Sequence, residues 1–542
     1  MGLVRGYFGM LKREFAGYNT AGFGRDVLAG VTVAAVALPL ALAFGVGCGA
    51  SAAAGLVTAI VAGLVISALS GGSYQISGPT GAMTAILVPL VAQFGLQGVF
   101  LACLISGVLL VLAGVFRAGE IVSIIPLPVI TGFTSGIALV IALGQVGNLT
   151  GLVSAGEDAL DKILGYFSLP QTPDLPALAT GCFVILLMIV YPRKWAKYCP
   201  GSLAAILLAT AAASVWKLDV ARIGEIPRTL LLGERLTVSF ITWNNIRSLL
   251  MPAVSITALG MIESLLCGAC AGRMKDEKLN AGIELVAQGV GNMLLPFFGG
   301  VPATAAIART SVAIKSGGQT RLTGVIHALV LLLSMFALSG VMSAIPIAAL
   351  AGVLMVTAWR MNEWHVIREI FKKRMAGPIL QFSVTMLSTV LFDLTVAIVI
   401  GVAISVIAFV YKVSDVQISV SDVIPAKLST THNAQSFAGI AVVYVTGPLY
   451  FGSVRKLEAA LRGVAGKKRL IFSMRGVTLA DMSGVRALQE ICARLGREGC
   501  DICFSCLQPS VRQMFDLCGL TGAVGEDHLY WSTDLALKTS AG

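Results

Sequence analysis

A short polar segment interrupts a long apolar stretch in the first quarter of the chain. Residues 76–84 read ISGPTGAMT, where a Gly-Pro pair breaks a helix and Thr80 brings a hydroxyl group. A helix that starts after Pro79 leaves its first N–H groups without intrahelical partners, and these groups attract anions together with the helix dipole. Gly81 lets a ligand approach the backbone closely. The segment has the chemistry of half an anion-binding site.

A second segment repeats this pattern about 220 residues later. Residues 298–318 read FGGVPATAAIARTSVAIKSGG, again with Gly-Gly, then Pro, then Thr and small residues, then an apolar run. Paired Gly/Pro interruptions in two halves of a chain are typical of the binding site of a transporter. If the halves are inverted repeats, the two helix ends face each other and form one anion site. Coincidence is the alternative, since Gly, Ala and Pro are common in membrane helices.

Two charged residues lie close to these segments in otherwise apolar sequence. Arg309 follows the second break, and a charge at the centre of a bilayer costs at least about 2.5–3.5 kcal/mol unless it is paired or hydrated. Glu263 is the single charge in residues 254–270. Arg309 is predicted to be the counter-charge of a passing anion, and Glu263 a proton carrier that couples to it. An ion pair between the two is the structural alternative.

The elements that must position these residues are membrane helices. The chain is 56% hydrophobic and 12% charged, and its mean hydropathy is +0.86. Residues 27–116, ninety in all, contain no charged side chain or His, which gives room for about four membrane passes. Further charge-poor stretches bring the expected total above roughly ten spans. The chain is therefore predicted to be polytopic.

The net charge of +11 comes from basic clusters that fit cytoplasmic loops, so we expect no nucleic-acid partner. Such loops place both termini in the cytoplasm. The eleven cysteines show no metal-ligand spacing in any loop. Two Cys-x-x-Cys pairs, Cys267 with Cys270 and Cys503 with Cys506, fall on a predicted helix and a predicted strand, and all eleven are interpreted as reduced, mostly packed thiols. We therefore predict no metal site and no cofactor.

The chain is predicted to have two parts joined by a connector. Residues 1–24 form a cytoplasmic N-terminal segment, and residues 25–413 a transmembrane domain with one repeat at about 25–217 and another at about 245–413. Residues 414–437 are polar and are interpreted as a linker. From 438 to 542, strand patterns alternate with helical ones, which is typical of a small α/β domain.

The order of these motifs resembles the SulP sulfate permease family, the prokaryotic relatives of the solute carrier 26 anion transporters. The matching stretches include ALSGGSYQISGPTGAMTAI (68–86), IESLLCG (262–268), FDLTVAIVIGV (392–402) and residues 288–322, while GVTLADMSGVRAL (476–488) resembles a STAS domain. The resemblance implies about 14 transmembrane segments in a 7+7 inverted repeat with UraA-like core and gate bundles. It also implies an elevator motion and a homodimer.

The resemblance assigns roles to several residues. Thr80, together with Gly81, matches the substrate position on the third segment, and Ala308 and Arg309 match those on the tenth. Phe44 matches an aromatic lining position. Leu40 stands where the family often has Gln, so one polar contact is expected to be missing.

Three further positions concern coupling and regulation. Glu263 matches an acidic position that is Asp in sodium-coupled bicarbonate members, where a Thr follows one turn later. This chain has Cys267 there, a poor sodium ligand, which favours H+ over Na+ as the coupling ion. Ser483 matches the phosphorylatable Ser of soluble anti-sigma-factor antagonists, although transporter-linked copies often do not use it.

The predicted function is secondary active transport of a small anion of the sulfate, bicarbonate or dicarboxylate class by proton-coupled symport. The protein is expected to be a multi-pass protein of the cytoplasmic membrane, with the lipid bilayer and a small anion as partners and a cytoplasmic partner conceivable through the STAS domain. The alternatives are a sodium-coupled bicarbonate symporter, an uncoupled anion channel and a membrane-anchored signalling scaffold. No motif for an enzyme is present.

Overall fold

The computed structural model of the 542-residue chain forms two compact units, Met1–Ala403 and Ile404–Gly542. It describes residues 2–119, 126–152, 165, 172–192, 194–195, 199–392, 394–413, 416–423, 439–461, 464 and 466–541. Most of the segment predicted as a linker lies outside these residues.

The first unit is helical, with two very short strands. Its first part contains α1 (Gly2–Glu14), α2 (Thr20–Gly47), α3 (Ala52–Leu69), β1 (Ser77–Gly78), α4 (Gly81–Val115), α5 (Leu127–Gly144), α6 (Val146–Thr150), α7 (Leu175–Val190) and α8 (Gly201–Val215). Gly95, at φ 65°, divides α4 into two helical segments.

In the second part of this unit, two helices are again followed by a short strand and then by a further helix. It contains α9 (Trp243–Lys275), α10 (Ala281–Phe298), β2 (Thr304–Ala305), α11 (Ile307–Lys315), α12 (Leu322–Ala337), α13 (Ser339–Ser343), α14 (Ile347–Met361), α15 (Trp364–Lys372), α16 (Ala376–Leu391) and α17 (Leu394–Val413). The unit boundary falls within α17.

Many of these helices have membrane character. Among the described residues, six helices are long and apolar enough to cross a membrane, and six apolar helices of 10–17 residues accompany them. A polytopic helical protein was predicted, and these helices agree with that. The figure of 14 segments stays a prediction.

Small residues allow the first helices to pack closely. A Cβ atom on Gly55 of α3 would lie 2.0 Å from the carbonyl oxygen of Ala41, and one on Gly45 of α2 would lie 2.4 Å from that of Ser51. Backbone atoms cannot move aside as a flexible side chain can. The two helices therefore approach at a distance that only glycine permits, as in other packed membrane helices.

The two broken segments meet in the middle of the first unit. β1 and β2 pair in antiparallel register, with Ser77 opposite Ala305 and Gly78 opposite Thr304. α4 and α11 begin directly after these strands. An antiparallel pairing of this kind is what an inverted repeat predicts for the two segments.

The second unit contains a five-stranded sheet in the order β3-β4-β5-β6-β7. Its elements are β3 (Gln417–Asp422), β4 (Ile440–Thr446), α18 (Val454–Leu461), β5 (Arg469–Gly476), α19 (Met482–Arg497), β6 (Asp501–Ser505), α20 (Pro509–Cys518), α21 (Leu520–Val524), β7 (Leu529–Tyr530) and α22 (Thr533–Ala541). β3 is antiparallel to β4, and the other pairs are parallel.

The sheet extends further towards the N-terminus than the sequence suggested. β3 lies inside residues 414–437, which we predicted to be a linker. Its polar and apolar residues alternate, and five of its six side chains are exposed, so the strand carries little hydrophobic signal. The α/β pattern predicted from residue 438 onwards otherwise matches the observed strands and helices.

Candidate functional site

Thr80 begins the first broken helix. Its backbone is extended (φ −124°, ψ 158°), and its hydroxyl oxygen accepts a hydrogen bond from the Met83 amide at 3.4 Å, so it is the N-cap of α4. The same hydroxyl donates to Glu263 Oε2 at 2.8 Å. The N-cap of α4 is therefore joined to the one carboxylate of the apolar segment on α9.

A second threonine reaches the same carboxylate from the other broken segment. Thr304, on β2, donates its hydroxyl to Glu263 Oε2, and its oxygen lies 3.3 Å from that of Thr80. In the described part of the chain, the recorded partners of Glu263 are these two hydroxyl groups. Thr304 was not among the predicted site residues.

Arg309 lies in the first turn of α11 and is almost fully buried. Its Nη2 donates to the carbonyl oxygen of Pro79 at 2.8 Å, whereas Nη1 has no hydrogen-bond partner among the described residues. A Cβ at position 78 would lie 2.2 Å from Nη1, so glycine leaves the guanidinium its place. The guanidinium thus connects the two broken segments. The predicted structural alternative, an ion pair between Arg309 and Glu263, is not recorded among the described residues.

The remaining predicted substrate residues surround the start of α4. Phe44 is buried against Gly81, where a Cβ atom would lie 3.1 Å from Phe44 Cε1. Leu40 is buried one turn earlier on α2. Ala308 is exposed at the start of α11. The structure records no direct contact that joins Leu40 or Ala308 to Thr80.

The recorded side-chain hydrogen bond of Cys267 goes to Thr310 and not to Glu263. Its thiol donates to the hydroxyl of Thr310 at 3.4 Å, and that hydroxyl accepts from the Ile76 amide at 3.1 Å. The second hydroxyl group beside Glu263 belongs instead to Thr304, on β2.

Polar side chains on the neighbouring helices hold the extended backbone of both segments. On α10, Gln288 donates to the Ser77 hydroxyl at 2.8 Å, while the Asn292 amide exchanges hydrogen bonds with the backbone of Ala303 at 2.8 and 2.9 Å. On α3, Thr58 accepts from the Val301 amide at 2.8 Å. Such partners are obligatory where irregular backbone lies within a membrane protein.

These supporting residues were missed, although a signal for two of them exists. Gln288 and Asn292 are four residues apart in an apolar helix, so they lie on one helix face. Two adjacent amides on one face of a membrane helix indicate a polar partner across the interface.

A cavity of about 800 Å³ opens beside the site. It is lined by Thr84, one turn beyond Thr80, and by Ile141, which also contacts the position of Gly81. Thr80, Glu263 and Arg309 are not among its lining residues.

Ser483 lies in the second unit, apart from these residues in sequence. It is an exposed residue in the first turn of α19, whose N-cap Asp481 accepts from the Gly484 amide at 2.7 Å.

Comparison with known proteins finds family matches in both units of the chain. The model of the sulfate permease family matches residues 23–384, and that of the STAS domain matches residues 432–536. A putative sulfate transporter of Bacillus subtilis (strain 168), YvdB, is 34% identical over 534 residues, which are 95% of this chain and 98% of that protein.

Solved structures share the fold. The transmembrane domain of a cyanobacterium bicarbonate transporter, BicA, is 28% identical, with a TM-score of 0.63 over 72% of this chain and 98% of that one. The murine solute carrier 26 family member A9 anion transporter, at 17% identity, has a TM-score of 0.80 over 95% of this chain and 91% of that one. The chain therefore belongs to the sulfate permease family, as a multi-pass membrane anion transporter with a C-terminal STAS domain and not as an enzyme.

Proposed function

We propose that the protein is a secondary active transporter that carries a small anion of the sulfate, bicarbonate or dicarboxylate class across the cytoplasmic membrane. One observation carries this proposal: β1 and β2 bring the starts of α4 and α11 together beside the buried Arg309, whose Nη1 finds no hydrogen-bond partner in the part of the chain that the structure describes. Burying a cation that has an unpaired hydrogen-bond donor costs free energy, unless a ligand accepts that hydrogen bond.

The helix starts supply further donors for an anion. The N-cap of α11, Ala306, provides no side-chain hydrogen bond, and Thr80 caps α4 through a single amide, that of Met83. The other first-turn N–H groups are available to a ligand, and the helix dipoles favour negative charge there. Relatives named for sulfate and for bicarbonate support the same class of substrate.

The position of Glu263 supports proton coupling as part of this proposal. Its carboxylate shares the Thr80 hydroxyl with the start of α4, so an ionised Glu263 repels an anion at that helix end. A protonated Glu263 does not. Anion and proton then bind together and are released together, which is symport. An elevator-type movement of the site across the membrane completes the proposed cycle.

Sodium coupling is the second candidate, and the structure offers an observation in its favour. Thr80, Thr304 and Glu263 place two hydroxyl oxygens and a carboxylate together, a set of hard oxygen ligands. Cys267 is bonded to Thr310, so its thiol does not argue against sodium at this place. An uncoupled anion channel is the third outcome of the test below.

The test is uptake of labelled sulfate and bicarbonate by proteoliposomes under imposed gradients. We expect an inward proton gradient to drive accumulation and Glu263→Gln to abolish that dependence. Glu369→Gln is the control, because Glu369 is exposed and pairs with Lys373 outside the site. Accumulation driven by a sodium gradient alone would show that sodium, and not the proton, is the coupling ion. Flux that only dissipates the anion gradient would contradict symport altogether.

The same proposal includes the assembly and orientation of the protein. We place both termini in the cytoplasm, since the basic clusters of the sequence fit the cytoplasmic side of a membrane. We also expect a homodimer with the STAS domain available to a cytoplasmic partner. Labelling of cysteines introduced near each terminus, in intact and in opened cells, tests the orientation.

A further inference from the structure

Three metal-ligating side chains converge on one face of the STAS sheet. Asp501 and Cys503 are two residues apart on β6, so they point to the same face. His528 directly precedes β7, opposite Cys503 in the parallel register that pairs Phe504 with Leu529. One ligand atom from each residue lies within 4.8 Å of the other two. Among the described residues, this is the one such group of three.

No spacing pattern in the sequence relates Asp501 and Cys503 to His528. Cys503 forms a Cys-x-x-Cys pair with Cys506, which we interpreted as packed thiols. In the fold, Cys503 lies with the carboxylate of Asp501, on the same strand, and with the imidazole of His528, from the turn before β7.

We propose that Asp501, Cys503 and His528 form a zinc-binding site with water as the fourth ligand. A thiolate, an imidazole nitrogen and a carboxylate oxygen are the ligand types that Zn²⁺ takes in proteins, whereas Ca²⁺ and Mg²⁺ require oxygen alone. The Asp501 and His528 side chains are 37% and 36% exposed, which leaves a side of the site open to solvent.

The existing contacts orient the ligands for this role. His528 Nε2 lies 3.0 Å from Asp501 Oδ1, and Arg469 of β5 holds the other carboxylate oxygen, Oδ2. A carboxylate that binds a metal through one oxygen and a hydrogen-bond donor through the other is an ordinary arrangement in metal sites. Zinc would take the place of the direct Asp501–His528 contact.

Zinc at this place would stabilise the last strand and the last helix of the domain. β7 has only two residues and is the edge strand of the sheet, with α22 directly after it. A metal that bridges β6 and His528 fixes the start of β7 to the interior of the sheet. Zinc would therefore stabilise the position of α22.

The test uses the full-length protein in detergent, stripped of metal and titrated with zinc chloride against a chromophoric chelator. We expect one tight zinc ion per chain, lost in His528→Gln and in Cys503→Ala and kept in Cys506→Ala, the matched control. Loading with Co²⁺ should give a thiolate-to-cobalt absorption band that Cys503→Ala removes and Cys506→Ala retains.

The outcome is decisive even if a variant is unstable. Cys503 is buried, so Cys503→Ala can lose stability, but His528 is partly exposed and His528→Gln should fold as the wild type does. Equal zinc binding by wild type and folded His528→Gln would overturn the proposal, as would a wild-type chain that takes up no tight zinc.

Discussion

Replacing Gly78 by Ala should misplace Arg309 without removing its charge. The added Cβ atom would lie 2.2 Å from Arg309 Nη1, whereas ordinary contact begins at 3.4 Å, so the guanidinium must shift by about 1.2 Å. A shift of that size breaks the 2.8 Å bond from Nη2 to the Pro79 carbonyl. The shift also displaces Nη1, the donor that we propose binds the anion. A hydrogen bond from a charged group contributes about 1.5–3 kcal/mol, or roughly 10- to 150-fold in a binding constant.

The assay is concentration-dependent uptake of labelled anion by proteoliposomes. We expect the KM of Gly78→Ala to rise by roughly 10- to 150-fold. Its thermal unfolding in detergent should move to a lower temperature, because Nη2 loses the Pro79 carbonyl as its acceptor. Gly340→Ala is the control, because a Cβ atom there meets nothing within 4 Å. A folded Gly78→Ala protein with the wild-type KM would show that the position of Arg309 does not determine anion affinity.

Three further substitutions test other parts of the first unit. Thr304→Val removes a hydroxyl donor to Glu263 and should lower proton-driven uptake roughly tenfold, while Thr304→Ser keeps most of it. Asp26→Ala leaves the backbone amides and hydroxyl groups at the start of α12 without their buried acceptor, and we expect the free energy of unfolding, measured by denaturant, to fall by at least about 1.5–3 kcal/mol. Gly55→Val places a Cβ atom 2.0 Å from the Ala41 carbonyl and should prevent accumulation of folded protein in membranes; a normal yield would contradict the close helix contact.

The broken segments were predictable because their signal is local. Gly-Gly, Pro and Thr in an apolar sequence determine where a helix cannot continue, and both α4 and α11 begin where those residues indicated. The strand β3 was missed for the opposite reason: its exposed face carries polar residues, and its pairing with β4 is a tertiary contact.

The site itself was only partly predictable. Arg309 and Glu263 are conspicuous as charges in apolar sequence, but their partners are set by the fold. Thr304 is 41 residues from Glu263 in the chain, and no spacing rule relates them. Cys267, judged by its place in sequence, was expected beside Glu263 and instead bonds to Thr310. Which hydroxyl group reaches a carboxylate depends on side-chain direction across helices, which the sequence pattern does not contain.

The supporting hydrogen bonds limit how this transporter can open its site. Gln288 and Asn292 of α10 join one helix to both broken segments, and Thr58 of α3 joins another helix to the second segment. A movement that separated α4 from α11 would break these bonds, each with a net contribution of about 0.5–1.5 kcal/mol, and would leave buried backbone groups without partners at further cost. A movement that carries α3, α10 and both segments as one body breaks none of them. The polar network therefore supports the proposed elevator-type movement, because the helices that hold the two broken segments would travel with them.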